Sequence, residues 1–309
     1  MLKEAGGRRR WPVHVIGPAF SLALRSWLKS AAAKAGLDRP SRQVTGLTPP
    51  ALAFHAACLT RDTPVVLVVP TDSDVEQVVA DARLFLAALE GLSDHDVARR
   101  VLPFPSLEVD PYRGLAPHLE VASARARALH ALATGAAALL VASARALVPR
   151  LSDPTRLAST GLTLEPGTEI APQELGERLA DAGFLPEDPV DEPGEFCVRG
   201  GVVDVYPALE ARPIRLEFIG DIVESVREFD GSTQRSLAAL GRVVITPQRE
   251  LLTGSGDDPA DRDRSASIID YVQRAGARTL VFEIDDVEER GRGLEGQWRA
   301  SATDRARTS

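Results

Sequence analysis

The chain has 309 residues, 44% hydrophobic and 26% charged, with 36 Lys and Arg against 44 Asp and Glu for a formal charge of −8. That is enough for one large domain or two modest ones, with a core that is mostly aliphatic because only 5% of the residues are aromatic. The acidic balance argues against a stand-alone DNA binder that works by neutralising phosphates, although a weak DNA contact through a local basic patch stays open.

Arg8, Arg9 and Arg10 form the one dense basic run, which reads as a solvated tail. From there to residue 59 the pattern gives a short strand at 11–16, a helix at 20–35 stopped by Gly36, a short strand at 43–47, and a helix opened by Pro49 and Pro50. The apolar run at 65–69 (VVLVV) suits a strand covered on both faces of a parallel sheet. Asp72 is the expected N-cap of a helix reaching residue 89. A strand at 100–104, a helix at 119–134 ending at Gly135, and a strand at 139–142 continue the alternation that defines βαβ units.

The pattern then changes. Residues 149–154 read as loop and 172–182 as a helix ending at Gly183. Closely spaced strands follow at 196–199, 202–206, 214–219 and 222–229, with Gly200-Gly201 and Gly220-Asp221 as hairpin turns. Ile214 to Phe218 alternate apolar and charged residues, as a half-buried antiparallel strand does. A further strand is expected at 243–245 and a Gly/Asp/Arg-rich linker at 251–265. Beyond it come a helix at 267–274, a strand at 279–284, a charged helix at 287–298 and a frayed end at 301–309.

Two strings carry a family resemblance. Residues 104–127 read FPSLEVDPYRGLAPHLEVASARAR, and residues 194–230 contain GEFCVRGGVVDVYP, RLEF and EFD. Together they resemble the N-terminal region shared by transcription-repair coupling factors (Mfd) and the excision-repair helicase UvrB, over residues 11–290. The resemblance implies an α/β fold: a degenerate P-loop NTPase-like parallel-sheet domain carrying an inserted α+β module like the second domain of UvrB. Residues 1–148 would be the first part of the α/β domain, 149–242 the insert, and 243–309 the return to the α/β domain with the frayed C-terminus. On the residues alone, Arg199 and Asp204 lie in neighbouring strands and read as a solvated pair across a twisted hairpin, worth about 0–1 kcal/mol.

A working P-loop, G-x-x-x-x-G-K-[ST], offers backbone N–H groups and a lysine to phosphates and a hydroxyl to Mg²⁺. The corresponding stretch implied by the resemblance is 43–50, a degenerate loop of Thr45, Gly46, Thr48, Pro49 and Pro50 in which only Thr45 and Gly46 keep the loop's character. Pro49 stands where the lysine belongs and Pro50 where the Ser or Thr belongs, and proline has no N–H to donate. No cofactor and no ATP hydrolysis are therefore expected. Asp285 and Asp286, at the end of an apolar strand, are expected to cap the next helix rather than to hold a metal.

No other catalytic constellation stands out. His14, His55, His95, His118 and His130 never fall at metal-ligand spacing, and His118 sits at a helix start. Cys58 and Cys197 are far apart without partner ligands, which points to a reducing compartment, no disulfide and no metal. No 18-residue apolar span is present, so the expectation is a cytoplasmic protein without a membrane partner. What remains is the surface that the resemblance implies for UvrA. Arg150 matches a basic contact position at the start of the insert and Arg156 lies nearby, while another basic family position falls on Glu169. The expectation is a non-catalytic interaction module of nucleotide-excision repair that lacks the polymerase-binding and motor domains of a full coupling factor. Its rivals are a fragment of an ATP-dependent translocase that keeps ATP and DNA binding, and a structural domain that binds nothing.

Overall fold

The computed structural model describes residues 18–107, 109, 117–208, 210–252 and 262–308. The strand expected at 11–16, the Arg8–Arg10 run, His14 and the centre of the 104–127 string lie outside the described residues, as does most of the 251–265 linker.

The body is an α/β sandwich. Four strands, β1 (Val65–Val69), β2 (Val101–Phe104), β3 (Leu139–Ser143) and β12 (Arg278–Val281), form a parallel sheet in the order β12-β1-β3-β2. Both faces of β1 and β3 are buried, as the uninterrupted apolar runs require. On one face Val65, Leu67, Val69, Leu139 and Val141 pack against helices α1 (Pro18–Ala35), α2 (Pro49–Leu59) and α3 (Asp72–Glu90). On the other, Val66, Leu140, Ala142 and Phe104 pack against α5 (Leu119–Ala133), α6 (Pro154–Ser159) and α8 (Ile268–Ala275). Two faces, each with its own helical cover, make the three-layer arrangement that a parallel sheet needs.

The helix starts show which local forces decide. Thr71, not Asp72, caps α3. The Asp74 N–H donates to Thr71 Oγ1 (3.1 Å) and the Thr71 N–H donates to an Asp74 carboxylate oxygen (3.0 Å). This reciprocal box satisfies two otherwise unpaired donors, which a lone Asp cap would not. Asp72 is left free to accept from the Ser106 N–H at 2.8 Å and hydroxyl at 2.6 Å, and so fixes the chain leaving β2. The short helix α4 (Asp94–Arg100) lies between α3 and β2 where no helix is expected from the sequence.

The insert is a second layer structure. Six strands run in the order β10-β9-β8-β7-β6-β5: β5 (Leu185–Pro186), β6 (Glu195–Arg199), β7 (Val202–Val205), β8 (Ile214–Ile219), β9 (Ile222–Phe229) and β10 (Ser236–Ala239). The two expected hairpins form, with Arg199 opposite Val202 and Ile219 opposite Ile222; Gly200 and Gly220 each take a φ of +60°, which glycine adopts without strain. Ile214, Leu216 and Phe218 are buried while Arg215 and Glu217 are half-buried, as the alternation demands. The buried face packs on α7 (Pro172–Asp181) through Leu175 and Leu179, and on a two-stranded ribbon of β4 (Leu162–Leu164) and β11 (Val243–Ile245). Pairing with β4 places β11 with the insert rather than with the returning body, while Leu151 and Leu157 pack into the body core.

Three further expectations change. Residues 43–47 form no strand. The last strand ends at Val281, and α9 (Ile284–Thr308) begins before Asp285 and Asp286, which lie in its first turn rather than at its cap. There they still meet the positive end of the helix dipole. The backbone of α9 also stays helical through residues 301–308, where a frayed tail is expected.

Candidate docking surface

The face of the six-stranded sheet opposite α7 is built around one carboxylate. Strand register places Cys197, Asp204, Arg215 and Arg227 in a row across β6, β7, β8 and β9. The Asp204 side chain is fully buried, yet it accepts from Arg215 Nε at 2.7 Å, Arg215 Nη2 at 2.8 Å and Arg199 Nη2 at 2.6 Å. Arg199 also donates to Asp188 at 2.9 Å. Arg215 stacks over the Phe229 ring at 4.6 Å, and its bonds to Asp204 push its pKa further up. The pair expected to be two solvated charges across a hairpin is thus a buried carboxylate holding two guanidiniums in fixed orientation. The miss lies in Arg215. Its place in the alternating strand was legible, but which strand would lie beside Asp204 was not.

At the hairpin between β8 and β9, Ile219 and Ile222 stand 65% and 51% exposed. This hairpin is propped by the segment before α7, which pairs with the start of β9 backbone to backbone. The Gly167 N–H donates to Val223 O at 2.8 Å, the Ile170 N–H to Asp221 O at 2.7 Å, and Glu169 bridges Ile222. The result is a rigid sheet face that carries oriented arginines with two uncovered isoleucines at one end. Arginine and uncovered apolar side chains on a preordered support are what protein interfaces use as anchors.

The predicted arginines take a different place. Arg150 donates to Arg264 O at 3.2 Å and Ser265 O at 2.7 Å, and Arg156 pairs with Asp263 at 3.0 Å. Both side chains are exposed, and both bind the chain where it returns from the insert to the body. Arg150 and Arg156 therefore both hold the returning chain at residues 263–265.

The loop at 43–50 is exposed. Gly46 sits at a bend with φ +75°, Thr48 is the N-cap of α2 without a side-chain cap bond, and Pro49 and Pro50 fill the first two helical positions. No strand leads into Thr45 among the described residues; strand-to-helix turns of this sheet run instead from β1 to α3 and from β12 to α9. The remaining candidates are structural. Burial pushes the Cys58 thiol up to about 11, with Asp38 adding to the shift, and burial likewise raises Cys197. Neither is a ready nucleophile at neutral pH. His118 Nδ1 accepts from the Glu120 N–H as the cap of α5, and His55 Nδ1 meets Leu37 O at 2.6 Å. Among the described residues no cluster of His, Cys, Asp or Glu could hold a metal, and no helix is long and apolar enough to cross a membrane.

The insert is a helix-backed, mostly antiparallel sheet set into an α/β body, the class of fold to which an inserted α+β module belongs, and its residues 162–251 match the UvrB interaction domain. Over half to three quarters of its length the chain is similar to transcription-repair-coupling factors. It is 31% identical to the one from Myxococcus xanthus over 236 residues, which is 75% of this chain and 19% of that protein. It is 30% identical to the Bacillus subtilis protein over 59% of this chain and 15% of that protein, and 29% identical to the Escherichia coli protein over 50% and 13%. The resemblance read from the two strings is borne out by the match to the UvrB interaction domain and the similarity to these factors, and the chain spans less than a fifth of the length of each.

Proposed function

We propose that the chain is a non-catalytic docking module of transcription-coupled nucleotide-excision repair, which offers the outer face of its six-stranded sheet to UvrA. The observation that carries this reading is the hairpin pair Ile219 and Ile222, exposed beside arginines that Asp204 has already oriented. Preordered guanidiniums lose little rotamer freedom on binding, and uncovered isoleucines gain from losing water. The match to the UvrB interaction domain supports UvrA as the partner. On this reading Arg150 and Arg156 serve the docking surface indirectly, by fixing the insert to the body. The loop at 43–50 is a degenerate relic of a P-loop-like fold and holds no nucleotide phosphates.

Titration calorimetry of the full chain with purified UvrA tests the reading. Saturable binding that Ile219→Asp abolishes, with an unchanged circular dichroism spectrum, is the expected result. Undiminished binding by Ile219→Asp and Ile222→Asp moves the interface elsewhere, and no binding by the parent chain removes UvrA as the partner.

A further inference from the structure

A cleft of about 600 Å³ opens between the body and the insert, walled by α4 and α5 on one side and by β11 and the chain after β7 on the other. Its ionic lining is unusual for a chain that is acidic as a whole. Arg99 and Arg100 enter from α4, Arg127 from α5 and Arg242 from the turn before β11, against only Glu210 and Asp96. Arg100 is committed to Glu90. No hydrogen bond or salt bridge engages Arg99, Arg127 or Arg242 among the described residues, and each of the three differs in this from Arg125 beside them, which is fully satisfied.

Arg127 is the central one. Withdrawal from water lowers its pKa, Glu210 offsets this, and Arg99 and Arg83 press it lower still. A half-buried guanidinium facing another cation is costly unless an anion completes it. The rest of the lining mixes small apolar residues such as Ala131 and Val244 with polar ones such as Ser123, Thr163 and Thr246. Planar guanidiniums lining one concave site suit phosphate oxygens, and the volume falls within the range of small-molecule pockets.

We propose that this junction cleft binds a small phosphate-bearing molecule, with Arg99, Arg127 and Arg242 as its phosphate ligands. Because one wall belongs to the body and the other to the insert, the ligand would also clamp the insert in place. Its phosphate could arrive on a nucleotide or as free pyrophosphate, and the two are separable.

The test is calorimetry of the full chain with inorganic pyrophosphate, with metal-free ADP and with a single-stranded octanucleotide. Saturable binding of ADP or pyrophosphate, weakened at least tenfold by Arg127→Gln, supports the site. Tighter ADP than pyrophosphate identifies a nucleotide, and equal affinities identify the phosphate alone. Arg242→Gln, at an exposed position without bonds in the fold, decides the matter if Arg127→Gln does not fold, and an at least threefold loss is expected. No saturable binding of either small ligand, unchanged affinity in both variants, or preference for the octanucleotide overturns the proposal.

Discussion

Arg125 and Glu250, 125 residues apart in sequence, form a buried ion pair at 2.6 Å with side-chain exposures of 0% and 6%. Arg125 also donates to Pro105 O at 2.6 Å and lies over the Phe104 ring at 4.0 Å, while Ser123, two residues earlier, donates to Gln248 at 2.8 Å. Helix α5 of the body thereby grips the chain as it leaves the insert. Removing one partner strands the other charge in a place water cannot reach, at a cost of about 3–5 kcal/mol. Glu250→Ala is expected to lower the urea midpoint by that measure, whereas Glu250→Gln keeps an acceptor for Arg125 and loses less. Equal, small effects of the two would show that water reaches the pair.

Asp204 poses the same physics in the insert, with an asymmetry that can be measured. Its carboxylate is buried, Arg215 is 16% exposed and Arg199 is 41% exposed. Asp204→Ala leaves Arg215 half-buried without its counter-ion and is expected to cost about 3–5 kcal/mol. Arg199→Ala leaves the bidentate Arg215 bond in place and gives up only a solvent-screened pair, about 0–1 kcal/mol. Thermal unfolding of the two variants checks the order; a reversed order would mean that Arg199, not Arg215, carries the neutralisation. Arg199→Ala is thus also the cleaner variant for separating docking from folding.

His130, on α5, predicts a pH dependence. Burial holds its pKa below the ordinary 6.5, with a bond to the Ala158 backbone opposing the shift. The unfolded chain takes up a proton near pH 6.5, while the folded chain resists until a lower pH. The unfolded state therefore binds more protons in that window, and stability falls as pH drops through it. The contribution of the neutral histidine is present in full above pH 6.5. A melting-temperature series from pH 5 to 8 should fall on the acid side in the parent and flatten in His130→Gln.

The same histidine makes Gly161 a steric hinge point. A Cβ there would lie 2.1 Å from His130 Nε2, against a ring with little room to move. Gly161→Ala is expected to destabilise by about 1–3 kcal/mol through overpacking. The Gly161→Ala, His130→Ala double variant should recover part of that loss, since the clashing ring is gone; denaturant titration of the four species closes the cycle.

How much of this was legible in the sequence depends on whether the deciding interaction is local. The strand at 65–69, the two hairpins and the alternation around Arg215 follow from neighbouring residues, and the structure holds them at those positions. The short elements α4, α6, β4 and β10 carry too few residues for a period to show, and β4 is a strand only because Val243, Val244 and Ile245 lie beside it. Residues 43–47 have strand-like composition but no neighbour to pair with, so they remain irregular. Arg125 reads as an ordinary helix arginine, and nothing near it in sequence announces Glu250. Arg150 stands out by resemblance and Arg156 by lying near it, whereas Ile219 and Ile222 owe their significance to exposure alone, which only the fold reveals.

The loop at 43–50 offers a final test because composition and geometry can be changed separately. Restoring the missing chemistry with Pro49→Lys and Pro50→Thr supplies the ammonium and the hydroxyl, but it does not supply a strand before Thr45 to aim the loop at a phosphate. A P-loop works because consecutive N–H groups converge from a strand-to-helix turn. The double variant is therefore expected to show no Mg-ATP hydrolysis above the blank, and to lose about 0.4–1 kcal/mol for each proline removed from the first turn of α2. Turnover that rises in proportion to protein concentration, in the parent or in the variant, would mean that the loop adopts a phosphate-binding form and that the chain is an enzyme after all.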